Sequence, residues 1–178
     1  MHIGSRHLDL VLEPGQFYFG ADHLRIGTLL GSCVAITMWH PRIKIGGMCH
    51  YLLPSRGTTP QPDDEPLDGR YADEALEMFM QKFEQTATAP GEYEAKLFGG
   101  GNQFPEHFPG DVAGPRAARS IDVPTRNVDA GMALLAGHGL HVRARHVGGT
   151  GPRQVVLDLG TGHVWVRHRR ILTLEGAS

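Results

Sequence analysis

The chain holds two cysteines, and the first closes the run Gly27-Thr28-Leu29-Leu30-Gly31-Ser32-Cys33. A thiol directly after Gly-Ser, with apolar runs on both sides, has two readings. It is a small buried hydrophobe, or a nucleophile held at the lip of a sheet. Gly31-Ser32 interrupts an otherwise good strand and leaves backbone N–H groups near the sulfur. Such groups stabilise a thiolate and, later, an oxyanion. A cysteine nucleophile also needs a base to take its proton and return it to the leaving group. His50 stands 17 residues on, within Met48-Cys49-His50-Tyr51-Leu52-Leu53-Pro54. Thr28 supplies a hydroxyl that could orient the imidazole as the third member of a triad. Cys49 adjoins His50, but side chains alternate along a strand, so Cys49 faces away and reads as packing.

Metal ligation is the rival use of these residue types. His138, His141 and His146 cluster in the sequence, and Cys33, Cys49 and His50 could be imagined as ligands. There is no CxxC and no HExxH, and His138 and His141 straddle an expected helix end and strand start. No metal and no cofactor are therefore expected. The run Phe98-Gly99-Gly100-Gly101-Asn102 reads as a loop needing positive φ, placed to line a site beside the cysteine strand. No Gly-Lys-Ser/Thr follows it, which argues against a nucleotide loop.

The elements that must position these residues follow from periodicity. Strands are expected over 8–12, 16–19, 24–30, 32–39 and 44–53, so Cys33 and His50 fall on neighbouring strands. Gly46-Gly47 marks a bulge or a close backbone approach. Residues 54–70, with four prolines, form a loop. A helix is expected over 71–83, its stripe formed by Leu76, Phe79, Met80 and Phe83. A strand over 94–98 follows, then nothing periodic over 103–124. A second helix over 125–136 carries Val128, Met132 and Leu135. Strands over 140–147, 153–159 and 163–167 come next, with Gly160-Thr161-Gly162 as a hairpin turn and 172–174 as a last edge. This order is mixed α/β rather than a regular βαβ array.

The bulk numbers set the class. The 178 residues fit one domain, and 40% hydrophobic with 20% charged residues specify a folded globular chain. A formal charge of −2 gives no global basic surplus for nucleic acid or an anionic membrane. The one basic cluster, Arg167-His168-Arg169-Arg170, reads as a solvated strand end. The longest apolar stretch, 29–39, is too short to span a bilayer, and the first residues contain no signal region. A cytoplasmic protein with free thiols is expected.

Six motifs in order resemble one family, the chemoreceptor glutamine deamidases, CheD. They are TLLGSCVAI at 28–36, KIGGMCHYLLP at 44–54, YADEAL at 71–76, AKLFGGGNQF at 95–104, RNVDAGMALL at 126–135 and VGGTGPRQVVLDLGTGHVWVR at 147–167. The resemblance implies a single CheD-like domain over 1–178 with an α/β fold. That fold is a three-layer sandwich of mixed β-sheets and helices, similar to the catalytic domain of the cytotoxic necrotizing factor toxins. It implies a cytoplasmic amidohydrolase converting selected glutamines of methyl-accepting chemotaxis receptors to glutamate through a cysteine thioester. The family nucleophile falls on Cys33 and its base on His50. Some members also bind a CheC-type phosphatase, and a non-catalytic docking module for receptors or that phosphatase is the alternative.

Three departures stand out. Where the family has Thr-x-Gly-Leu-Gly-Ser-Cys, the threonine position is Gly27 here, and alternation would turn Thr28 away from His50. Proline replaces glycine in Val123-Pro124-Thr125-Arg126-Asn127. The segment 105–120 is longer than is usual in the family.

Overall fold

Period-two patterning in the first third of the chain becomes five strands: β1 Leu10–Leu12, β2 Phe17–Gly20, β3 Arg25–Leu30, β4 Val34–His40 and β5 Ile45–Tyr51. Helix α1 spans Ala72–Gln85, a short 3-10 turn Pro90–Glu92 precedes β6 Glu94–Gly99, and α2 spans Val123–Gly137. Strands β7 Val142–Val147, β8 Arg153–Asp158 and β9 Val164–His168 complete the order. The computed structural model describes residues 8–57, 65–104 and 123–171. The expected edge at 172–174 and most of 103–124 lie outside the described residues.

Two mixed sheets form. One runs β1-β3-β8-β9, the other β2-β5-β4-β6-β7. The β1–β3 and β6–β7 pairs are parallel and the rest antiparallel. Alternation explains the layers. On β4, Val34, Ile36 and Met38 join α1 and α2 in one core, while Ala35 joins Ile26, Leu30, Val155 and Leu157 in a second core between the sheets. The expected three-layer α/β sandwich is thus helices, five-stranded sheet, four-stranded sheet. Strands β4 and β5 are almost wholly buried because both of their faces are covered.

Several boundaries move for physical reasons. The expected strand over 32–39 starts at Val34, because the backbones of Gly31 and Cys33 pair with glycines 101 and 100 instead. Gly46-Gly47 is no bulge. A Cβ there would lie 2.1 Å from Met38 O or 1.8 Å from Tyr18 O, so close approach is what excludes a side chain.

Helix α2 starts two residues earlier than its pattern suggests, and the expected Leu135 is buried while Val128 and Met132 pack partly buried at the core's edge. The buried positions are Pro124, Asn127, Gly131 and Leu135. Small and polar residues sit inward because Tyr51, fully buried on β5, rises into the helix and donates its hydroxyl to Asn127 O at 2.7 Å. A Cβ on Gly131 would meet that hydroxyl oxygen at 2.3 Å. Gly131→Ala is therefore expected to destabilise the fold by about 1–3 kcal/mol, the cost of overpacking a dense core. Adding Tyr51→Phe removes the clashing oxygen, so the two changes should be non-additive in a denaturant double-mutant cycle.

Candidate active site

Strand β3 belongs to one sheet and β4 to the other, and the chain crosses between them in three residues, Gly31-Ser32-Cys33. The loop after β6 holds this crossing. Gly100 N–H donates to Cys33 O at 2.8 Å and Gly101 N–H to Gly31 O at 2.9 Å. Gly99 and Gly100 have φ of 117° and 63°, and a Cβ on Gly99 would lie 2.2 Å from Cys33 O. Left-handed backbone and close contact both demand glycine here.

The crossing leaves Cys33 half-buried against the inter-sheet core. His50 lies opposite Ala35 in the β4–β5 register. Cys33, two residues before Ala35, is on that same side of the sheet, the diagonal relation in which long side chains meet. Cys49 faces the helices in the other core, where burial pushes its thiol up to about 12.

Thr28 turns inward with Ile26 and Leu30, and its Oγ1 lies 2.8 Å from His50 Nδ1. This differs from the expectation that alternation turns it away. Counting back from Cys33 assumes one continuous strand, whereas Gly31-Ser32 breaks the parity. Thr28 Oγ1 also donates to Leu12 O at 2.8 Å. The hydroxyl has one proton, so Nδ1 must be the donor in the Thr28–His50 bond. That tautomer leaves the lone pair on Nε2, which is buried and without a hydrogen-bond partner among the described residues.

Burial dominates the electrostatics. Desolvation lowers His50 to about 4, against a smaller opposing effect of the Leu12 carbonyl. Burial also raises the Cys33 thiol, opposed by hydrogen bonds from the Ser32 side chain and its own backbone N–H. The resting pair is therefore neutral thiol and neutral imidazole. Such a pair supports general-base activation of the sulfur at the moment of attack, rather than a standing ion pair.

Asn127 is the residue that sequence reading missed. Its Nδ2 donates to Ser32 O at 3.2 Å and to Leu52 O at 2.7 Å, tying the cysteine turn to the end of the histidine strand. Its signal was a polar side chain on the buried stripe of α2. His138, His141 and His146 are not gathered: His146 packs on His168 with ring centres 5.2 Å apart, while His138 follows α2 and His141 precedes β7. No group of three or more His, Cys, Asp or Glu side chains suited to a metal occurs among the described residues.

The fold is a helix-covered two-sheet domain, with Thr28 and His50 hydrogen-bonded to each other and Cys33 at the sheet-to-sheet crossing against the inter-sheet core. The chain belongs to the CheD family: the family model described as CheD chemotactic sensory transduction matches residues 52–168. It is 46% identical over 158 residues to a probable chemoreceptor glutamine deamidase CheD 3 of Dechloromonas aromatica, covering 89% of this chain and 86% of that one. It is 45% identical to a probable chemoreceptor glutamine deamidase CheD of Pseudomonas savastanoi pv. phaseolicola, over 94% of this chain and 88% of the relative. A third relative, from Pseudomonas syringae pv. tomato, is 43% identical over 94% of each chain.

The histidine environment has a thermodynamic consequence. An unfolded imidazole titrates near 6.5 and the folded His50 near 4, so between those values the unfolded chain binds the extra proton. Stability should fall as pH drops through that window, by up to about 3 kcal/mol from this one group. Urea melts from pH 7 to 4.5 check it, with His50→Gln expected to flatten the slope. In 15N NMR, His50 should show the Nδ1–H tautomer at pH 7.

Proposed function

We propose that this chain is a protein-glutamine deamidase that hydrolyses glutamine side-chain amides of chemoreceptors, with Cys33, His50 and Thr28 as its working residues. The observation that carries the reading is the Thr28–His50 hydrogen bond, which aims an unprotonated Nε2 into the core face that Cys33 shares. The names of the relatives supply the substrate, chemoreceptor glutamine. Among the described residues no helix is long and apolar enough to cross a membrane. The reading takes residues 1–178 as one domain acting on the cytoplasmic part of the receptor.

The chemistry runs as acyl transfer to sulfur. Cys33 Sγ attacks the glutamine Cδ while His50 Nε2 takes the thiol proton. Thr28 holds the ring and its Nδ1 proton in place. The carbonyl oxygen becomes an oxyanion facing backbone N–H groups of the Gly31–Cys33 crossing. His50 returns the proton to the departing amine, ammonia leaves, and a thioester remains. His50 then deprotonates water, which attacks the thioester and releases glutamate with the Cys33 thiol restored.

A docking module without catalysis gains nothing from a buried imidazole whose tautomer is fixed beside a thiol. The resemblance also supports a CheC-type phosphatase as a second partner, testable by co-purification from the same organism.

Purified protein incubated with cytoplasmic receptor fragments of its own organism should convert glutamine to glutamate, scored by peptide mass spectrometry. Cys33→Ala and His50→Ala should abolish conversion, and Thr28→Val should lower kcat by about 100-fold, the cost of misplacing a catalytic group. The acid limb of kcat/KM should lie near pH 4 rather than near 6.5, because neutral His50 is the active form. Iodoacetamide should label Cys33 faster only as pH rises above the ordinary thiol range, while Cys49 stays unlabelled until the protein unfolds. Conversion that persists in Cys33→Ala would falsify the assignment.

A further inference from the structure

Charge is distributed unevenly along this chain. Residues 63–94 carry ten acids against two bases, whereas residues 130–171 carry six arginines against one acid, Asp158. Pairing singles out one cluster on the basic side. Arg25, Arg42, Arg56, Arg70 and Arg143 each hold a carboxylate. Arg167, Arg169 and Arg170 are exposed and hold none among the described residues. An exposed arginine cluster without counter-charge is an electrostatic surface facing outward.

That surface adjoins the cysteine turn through packed main chain. Gly101 bonds Gly31 O, a Cβ on Gly101 would lie 2.5 Å from Gly151 O, and a Cβ on Gly151 would lie 2.0 Å from Arg169 O. Arg169 N–H donates to Pro152 O at 2.9 Å, which fixes the segment leaving β9 at this end of the sandwich. Three backbone spacings thus separate Gly31 from Arg169, within reach of a substrate held at Cys33. Across the outer face of the smaller sheet, Leu29 lies opposite Gln154 and Gln154 opposite Arg167. Leu29 is 51% exposed, an apolar contact beside the cations.

We propose that Arg167, Arg169 and Arg170, with Leu29, form the surface that docks an acidic segment of the substrate protein next to the target glutamine. The proposal rests on the deamidase reading and adds its substrate class: glutamines flanked by carboxylates. The opposite, acidic region repels such a partner and orients its approach. The same region and the net charge of −2 disfavour a continuous polyanion such as nucleic acid, whose charge would reach both. The solvated strand end of the sequence reading thereby acquires a role.

The test uses the full chain and the triple change Arg167→Gln, Arg169→Gln, Arg170→Gln. With receptor cytoplasmic fragments, KM should rise about tenfold with kcat unchanged, and the increase of wild-type KM with salt should flatten, as for charges at an interface rim. Iodoacetamide labelling of Cys33 should stay the same, showing an intact site. Unchanged KM and salt dependence in the triple variant overturn the proposal while leaving the deamidase reading in place. Binding of the Cys33→Ala protein to the same fragments is measured in parallel. If wild type converts no glutamine, salt-sensitive binding that the triple change abolishes sustains the docking surface and sinks the deamidase reading. Loss of binding to phosphatidylserine vesicles with receptor KM unchanged assigns the arginines to lipid and overturns the proposal.

Discussion

The chain moves from one sheet to the other in three residues, and the rest of the structure is arranged to permit it. Gly31-Ser32-Cys33 has too few residues to satisfy its own backbone groups. Glycines 100 and 101 donate to it from one side, and Asn127 from another. Those donors come from a loop with left-handed glycines and from a helix that buries Asn127 and Gly131 on its inward face. A buried backbone polar group left unpaired costs as much as a lost hydrogen bond, so this convergence is a requirement of the fold. The same crossing delivers the thiol to the inter-sheet face.

The second constraint is desolvation. Placing an imidazole between two sheets keeps it neutral, and a single hydroxyl shared by His50 and the Leu12 carbonyl settles which nitrogen holds the proton. The site therefore stores no charge before substrate arrives. In the proposed mechanism charge is created only when the sulfur attacks, inside a surrounding already oriented to receive it.

Much of this was legible in the residues. Period-two alternation found the strands, and the three-six periodicity of Leu76, Phe79 and Phe83 found α1, because burial on one face dictates both patterns. The adjacency of β4 and β5, which sets His50 opposite Ala35, followed from two consecutive apolar strands. Other features lay beyond local patterning for physical reasons. Thr28 was named for its hydroxyl, but alternation argued against its reaching His50, and that argument failed because strand parity does not survive a glycine turn. Asn127 and Gly131 were hidden because their burial answers to Tyr51, a partner 76 residues from Asn127. The three-layer arrangement came with the family resemblance rather than from periodicity, because it depends on long-range pairing, such as β3 with β8, which no local window contains. The short 3-10 turn at Pro90–Glu92 gave no periodic signal at all.

The two thiols lie on opposite faces of one sheet, Cys33 toward the second sheet and Cys49 toward the helices. A disulfide needs Cβ atoms about 3.5–4.5 Å apart and pointing together, which a sheet between them forbids. Cys33 therefore has no resolving partner within its own chain. A sulfenic acid formed there by peroxide finds no internal thiol to condense with, so recovery depends on a small thiol from outside. The geometry that spares the protein a wrong disulfide also leaves its half-buried sulfur dependent on the reducing power of its surroundings.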